Sequence, residues 1–193
     1  IMTVARELFQ SYPRRTVLGI GLMVTQSFMY NAISFTYPLL LTKYYAVTSS
    51  DVGLYLLPFA AGNFLGPLLL GRLFDTVGRK VMISFTYGIA GVLLAVTGYL
   101  FWINALTLST QMLLWSLMFF FASAGASAAY LTVSEIFPME IRAMAIAFFF
   151  IVAQGAGIAA PWLYGMMIET STASVFYGYL LGGGMMLLGA VLE

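Results

Sequence analysis

The sequence predicts an all-α membrane protein built from six transmembrane helices. Three observations carry this. Hydrophobic residues make up 62% of the 193 residues and charged residues 8%, against roughly 45–50% and roughly 25% in soluble domains. Six apolar runs each reach the roughly 20 residues that a bilayer-spanning helix requires. Every charged side chain falls at the end of a run or between runs. There it escapes the roughly 3 kcal/mol that insertion scales assign to a charge at a helix centre. A water-soluble globule is excluded, because a mean hydropathy of +0.97 leaves too little polar surface to cover a core.

The spans are expected at about 16–41, 52–71, 81–103, 108–133, 143–168 and 173–192. Residues 1–15 ahead of the first are polar and basic, and read as an arm rather than a signal peptide. The first span follows Arg14 and Arg15 and stops before Lys43. The second starts after Asp51 and closes at Gly71, where Arg72 enters. The third lies between the Arg79–Lys80 pair and Trp102, a residue suited to a membrane interface. The fourth runs from Leu108 toward Glu135, and Pro138 then breaks the chain. The fifth lies between Arg142 and Glu169, and the sixth ends beside Glu193. A β-barrel does not fit: the runs far exceed a strand of roughly 10 residues and do not alternate apolar with polar.

Charge sets the expected orientation. Even-numbered spacing puts the N-terminal arm, the connector between spans two and three, and that between four and five on one side. Seven of the eight basic residues lie there; Lys43 alone lies opposite. By the positive-inside rule that side is cytoplasmic, and six spans return both chain ends to it. The protein is therefore expected in the cell's inner (plasma) membrane.

Composition also excludes function classes. A net charge of +1 is too small for a nucleic-acid binder driven by phosphate neutralisation. With no Cys and no His, disulfides, thiolate chemistry and the commonest metal ligand are absent. No acidic residue falls at mid-span, so an intramembrane enzyme lacks its nucleophile and base. No metal and no cofactor are expected.

Two connectors on the basic side carry patterned charge. Residues 71–80 read Gly-Arg-Leu-Phe-Asp-Thr-Val-Gly-Arg-Lys, which places Asp75 near Arg79 and Lys80. Residues 134–142 read Ser-Glu-Ile-Phe-Pro-Met-Glu-Ile-Arg, with Glu135 and Arg142 on either side of the Pro138 break. Opposite charges in two loops of one side predict a salt-bridge latch of Asp75, Arg79, Lys80, Glu135 and Arg142. A plain solvated loop is the competing interpretation of each.

These residues resemble a known family. The first connector is similar to the G-x-L-x-D-x-x-G-R-R/K loop of the major facilitator superfamily. The second is similar to the E-x-F-P-x-x-x-R loop of its sugar porter and related metabolite branch. Thr25-Gln26-Ser27-Phe28-Met29-Tyr30-Asn31 resembles the Gln-Gln-Leu-Ser-Gly-Ile-Asn of the seventh helix of sugar porters. The resemblance implies the C-terminal six-helix half, a 3+3 inverted repeat, of a twelve-helix major facilitator fold. It implies an N-terminal six-helix half as partner, and a cytoplasmic gate formed by the charged loops. The first residue is Ile, and the chain stops directly after the sixth run, which suits such a half.

Polar groups at mid-depth mark the expected site. Gln26 and Asn31 flank the centre of span one, Asn63 sits beside that of span two, and Gln154 beside that of span five. Each lies within about 5 Å of the midplane at 1.5 Å rise per residue. Amides offer two donors and an acceptor each, which suits hydroxyl-rich ligands. The competing role is interhelical glue, worth about 0.6 kcal/mol per bond. Tyr30 shares a helix face with Gln26, whereas Asn31 lies roughly 140° away; a kink or unwinding at Pro38 is expected to bring it round. In sugar porters the Gln and Asn matching Gln26 and Asn31 bind sugar hydroxyls. So does an Asn in the next helix, sixteen residues before the basic pair, a position held by Asn63 relative to Arg79. The expected substrate site is therefore Gln26, Tyr30, Asn31, Asn63 and Gln154.

Thr25 replaces the first Gln of the family pair, Ser27-Phe28-Met29 replaces its Leu-Ser-Gly, and Ala153 and Gly157 stand where some members carry Asn. Span four has Gly-Ala-Ser-Ala-Ala-Tyr at 125–130 where sugar porters have a Pro-rich run ending in Trp; Tyr130 is its aromatic counterpart. A polyol, a hydroxylated acid or an aromatic acid is as compatible with these changes as a hexose. The expected function is transport of such a small polar metabolite by alternating access, with proton coupling. A non-transporting nutrient sensor or assembly subunit on the same scaffold is the alternative. Glycine patterns at 62–66, 155–157 and 178–184 are expected to serve close helix packing.

Overall fold

The computed structural model describes residues 2–192; Ile1 and Glu193 lie outside them. Eight helices follow one another: α1 (Met2–Ser11), α2 (Pro13–Tyr45), α3 (Val52–Tyr55), α4 (Leu57–Thr76), α5 (Arg79–Trp102), α6 (Leu108–Glu135), α7 (Met139–Thr170) and α8 (Thr172–Leu192). Six units are long and apolar enough to cross a bilayer: α2, α3 with α4, α5, α6, α7 and α8.

Local chemistry sets the ends. Pro13 opens α2, where its missing N–H costs nothing. Ala46 closes it in the left-handed region at φ 52°. Thr107 and Thr110 form a reciprocal capping box at the start of α6: each hydroxyl accepts from the other residue's backbone N–H, at 3.3 and 2.8 Å. Gly78 turns the chain between α4 and α5 at φ 110°, a conformation that side-chain-bearing residues rarely adopt. Pro38, Pro67 and Pro161 lie inside continuous helices.

Several helices outrun the apolar windows. α2 reaches 13–45 rather than 16–41, α4 continues to Thr76 rather than stopping at Gly71, and α7 spans Met139–Thr170 rather than 143–168. Hydropathy marks where polar residues begin, but backbone hydrogen bonding continues past that point. Asp75 therefore sits on the last turn of α4, and only Val77 and Gly78 link α4 to α5. The N-terminal arm is also not a plain polar tail. It forms α1, whose Leu8 is buried in a cluster with Met23, Val133, Phe137 and Phe149. Tyr12 meets the Phe137 ring edge-on at 6.0 Å.

The packing reveals an internal symmetry. The strongest helix pairings are α5 with α8, α2 with α7, and α4 with α6, followed by α5 with α6 and α2 with α8. Exchanging the first three spans for the last three maps this set onto itself: α2·α7 becomes α6·α4, α5·α6 becomes α8·α2, and α5·α8 is its own image. The fourth span starts on the side opposite to the first, so the two triplets are inverted repeats. At the self-paired contact the backbones nearly touch. A Cβ on Gly91 would lie 2.8 Å from the Gly183 carbonyl oxygen, and one on Gly183 would lie 2.8 Å from that of Gly91. The fold is an all-α bundle of six membrane-length helices in two inverted triplets.

The core follows the same logic. Met29, Ile33, Tyr37, Tyr87, Leu94, Trp115, Phe119 and Tyr179 are buried where α2, α5, α6 and α8 meet. By contrast, 17% of the apolar window of α3–α4 and 28% of that of α7 are buried, against about half in α2, α5 and α6. These two least-buried spans are partners under the repeat exchange.

Candidate functional site

Between α2 and α6 lies a cavity of about 410 Å³, within the roughly 300–1,000 Å³ of small-molecule sites. α2 contributes Gln26, Ser27, Tyr30 and Asn31; α4 contributes Asn63 and Pro67; α6 contributes Ser123, Ala126, Ser127 and Tyr130; α7 contributes Gln154. The two long walls, α2 and α6, exchange under the repeat, as do the flanking helices α4 and α7. The cavity thus lies on the repeat's axis of symmetry, where transporter sites form.

Hydrogen bonds fix its polar groups. Asn63 Nδ2 donates to the Tyr30 hydroxyl at 2.8 Å, tying α4 to α2. Asn31 Nδ2 donates to the Ser27 carbonyl at 2.8 Å and to Ser27 Oγ at 3.2 Å. α7 approaches that pair because position 157 is glycine: a Cβ there would lie 2.7 Å from Asn31 Nδ2. Behind Tyr30, the Phe119 ring lies 5.0 Å away, and Phe59 packs 4.1 Å from Phe119. Gln26 is buried, while Ser127, Tyr130 and Gln154 are exposed on the rim. Asn31 reaches the cavity without any unwinding at Pro38: α2 is unbroken, and the cavity wraps the roughly 140° arc from residue 26 to residue 31.

All five residues selected from the sequence border this one cavity. Ser27, Ser123, Ser127, Tyr130 and the wall residues Pro67 and Ala126 also line it and were not among those selected. Ser123 and Ser127 are spaced i, i+4 within a run of small residues, which is the signal that could have marked them.

The charged cluster forms a second feature. Arg79 Nη1 donates to Glu135 Oε2, joining α5 to α6. Asp75 lies 3.9 Å from Arg79 Nη2. Lys80 is exposed and forms no ion pair among the described residues. Arg142 does not join the latch. Its guanidinium turns back onto the Phe137 carbonyl at 3.3–3.4 Å, one turn before its own position, because Pro138 leaves that carbonyl free of a helical donor. Arg15 donates to the neighbouring Ile136 carbonyl at 2.7 Å. Two arginines therefore hold the α6–α7 loop by its backbone, and the ion pair proper is Arg79 with Glu135.

On the opposite side, Lys43 Nζ donates to the carbonyls of Ile168 and Glu169 at 2.8 and 2.7 Å, and the Tyr44 hydroxyl to that of Ile168 at 3.0 Å. These groups close the C-terminal end of α7, where a cation meets the negative end of the helix dipole.

A polar cavity between the exchanging helices of an inverted six-helix repeat, within helices suited to a bilayer, is an arrangement in which transporter sites form. The Major Facilitator Superfamily model matches residues 17–192, and the chain belongs to that superfamily. No curated protein and no solved structure matches it significantly.

Proposed function

We propose that the protein carries a small polar metabolite (a sugar, polyol or organic acid) across the cytoplasmic membrane by alternating access, as a sugar-porter-like member of its superfamily. The observation that carries this is the uncharged cavity of amides and hydroxyls on the repeat axis. Such groups can replace a polar solute's hydration shell with fixed donors and acceptors. Gln26, Tyr30, Asn31, Asn63 and Gln154 bind the solute.

This bundle acts as the C-terminal half and pairs with an N-terminal six-helix half. The exposed apolar flanks of α4 and α7, which border the cavity, support that pairing: Leu65, Leu68 and Leu69 on one, Ile151, Ile158 and Trp162 on the other. The basic side faces the cytoplasm. There the Arg79–Glu135 pair, with Asp75, closes the gate while the cavity faces outward. Transport is coupled to protons through a carboxylate of the other half, because no acidic side chain lines this cavity among the described residues.

Reconstitution of the complete protein into liposomes tests the proposal. Uptake of a labelled polyol, sugar or hydroxy acid, accelerated by an inward proton gradient, is the expected result. Uptake insensitive to the gradient removes the coupling; absence of uptake across the panel removes the substrate class.

A further inference from the structure

We infer that Ser123 and Ser127 are specificity-determining residues, forming an acceptor wall that makes this bundle select a neutral hydroxylated solute over the carboxylate of the same carbon skeleton. The inference rests on the transport proposal and deepens it.

It starts from where each hydroxyl proton goes. A hydroxyl has one proton to donate and two lone pairs to accept with. Ser127 Oγ donates to the Ser123 carbonyl at 3.0 Å, and Ser123 Oγ donates to the Phe120 carbonyl at 3.3 Å. Both protons are spent inside α6, so only lone pairs remain for the cavity that both residues line. The α2 wall is the opposite case. Tyr30 Oη accepts from Asn63, and Ser27 Oγ accepts from Asn31. Each has a filled lone pair and a proton left for a ligand. The cavity thus sets hydroxyl donors on α2 against the two serine acceptors on α6, with the Tyr130 hydroxyl as the one α6 donor, at the rim.

A neutral hydroxyl satisfies both walls, because it donates and accepts. An ionised carboxylate only accepts. Against Ser123 and Ser127 it meets lone pairs, and no Lys or Arg lines the cavity to offset its desolvation. An ammonium would find acceptors on α6, but no carboxylate lines the cavity to balance its charge. Ser123 Oγ lies beside α4, 2.6 Å from the place a Cβ on Gly66 would take.

The test measures binding of D-glucitol and D-glucarate to the complete purified protein by calorimetry. Glucarate carries a carboxylate at both ends, so no orientation hides the charge. The wild type should bind glucitol at least about tenfold more tightly. The double variant Ser123→Ala, Ser127→Ala should weaken glucitol roughly five- to one-hundred-fold and narrow the gap to glucarate. Should the double variant fail to fold, Ser127→Ala alone, at an exposed rim position, serves the same purpose. Equal or tighter binding of glucarate overturns the inference. So does glucitol affinity that survives the serine changes but falls in Asn63→Ala, an outcome that leaves the transport site in place. Binding of neither probe also overturns it, while flux of another solute would still uphold the transport proposal.

Discussion

The helix pairs α2·α7 and α4·α6 occupy equivalent places in the inverted repeat, yet they are fastened by different means. α2·α7 is clasped at both ends. Lys43 and Tyr44 hold the α7 terminus on one side, and Arg15 holds the α6–α7 loop on the other. α4·α6 has no such clasps among the described residues. Instead, Gly62 and Gly66 bring α4 against the carbonyls of Ser116 and Phe120 so closely that a Cβ at either position would overlap backbone oxygen. The same packing topology is thus reached once through side-chain hydrogen bonds at the ends, with Gly157 set against α2 side chains, and once through bare backbone contact at the centre. Clasps can be lost one at a time at modest cost. A glycine contact tolerates nothing larger.

Breaking the glycine contact should have the largest effect. Gly66→Val places a branched side chain into the Phe120 carbonyl, and the backbone cannot yield as a flexible side chain would. A loss of about 3 kcal/mol or more is expected, seen as a lower melting temperature or aggregation on size exclusion. Gly155→Ala and Gly184→Ala face open space and should melt like the wild type. That contrast separates the glycines that pack from those that merely share the pattern.

The next effect concerns the bond that links the two pairs. Asn63→Ala removes the donor from α4 to Tyr30 on α2 and leaves a solute hydroxyl unpaired. A cost of roughly 1–3 kcal/mol, or about five- to one-hundred-fold in solute affinity, is expected in binding measurements. Unchanged affinity would return Asn63 to the role of helix glue.

Loosening a clasp should be milder. Lys43→Met keeps the apolar stem but loses the cation at the α7 terminus, at a cost of about 0.3–1 kcal/mol. A melting temperature lower by a few degrees would bear this out. A loss as large as that of Gly66→Val would mean that the clasp carries the pair.

Arg79→Ala should have the smallest effect on stability, within about 1 kcal/mol, because the pair is solvent-exposed on the Glu135 side. Its expected effect is on turnover, with the transport rate falling more than solute affinity. A protein that keeps its transport rate without Arg79 has no gate at this ion pair.

The six spans and the inverted order of their polar connectors were legible in the sequence because the bilayer imposes a length and a charge rule. The five cavity residues were legible because an amide or phenol at mid-depth in an apolar helix needs a partner. Ser123 and Ser127 were not. A serine among alanines packs as readily as it lines a site, and only the position of α4 decides which. Arg142 was misassigned to the latch because sequence shows its charge but not the free Phe137 carbonyl that claims it. The α1 helix escaped notice because Leu8 is the one buried residue among its described side chains, too little for an apolar run.

The central claim is that the transported solute sits between α2 and α6. Single cysteines test it most directly: residues 1–193 carry none, and any elsewhere in the complete protein are replaced first. Ser127→Cys and Gln154→Cys at the rim, with Val96→Cys on the outward face of α5 as a reference, can be labelled with a thiol reagent in the complete protein. The transported solute should slow labelling at positions 127 and 154 in proportion to its occupancy and leave position 96 unchanged. Equal labelling rates with and without saturating solute at both rim positions would place the substrate elsewhere.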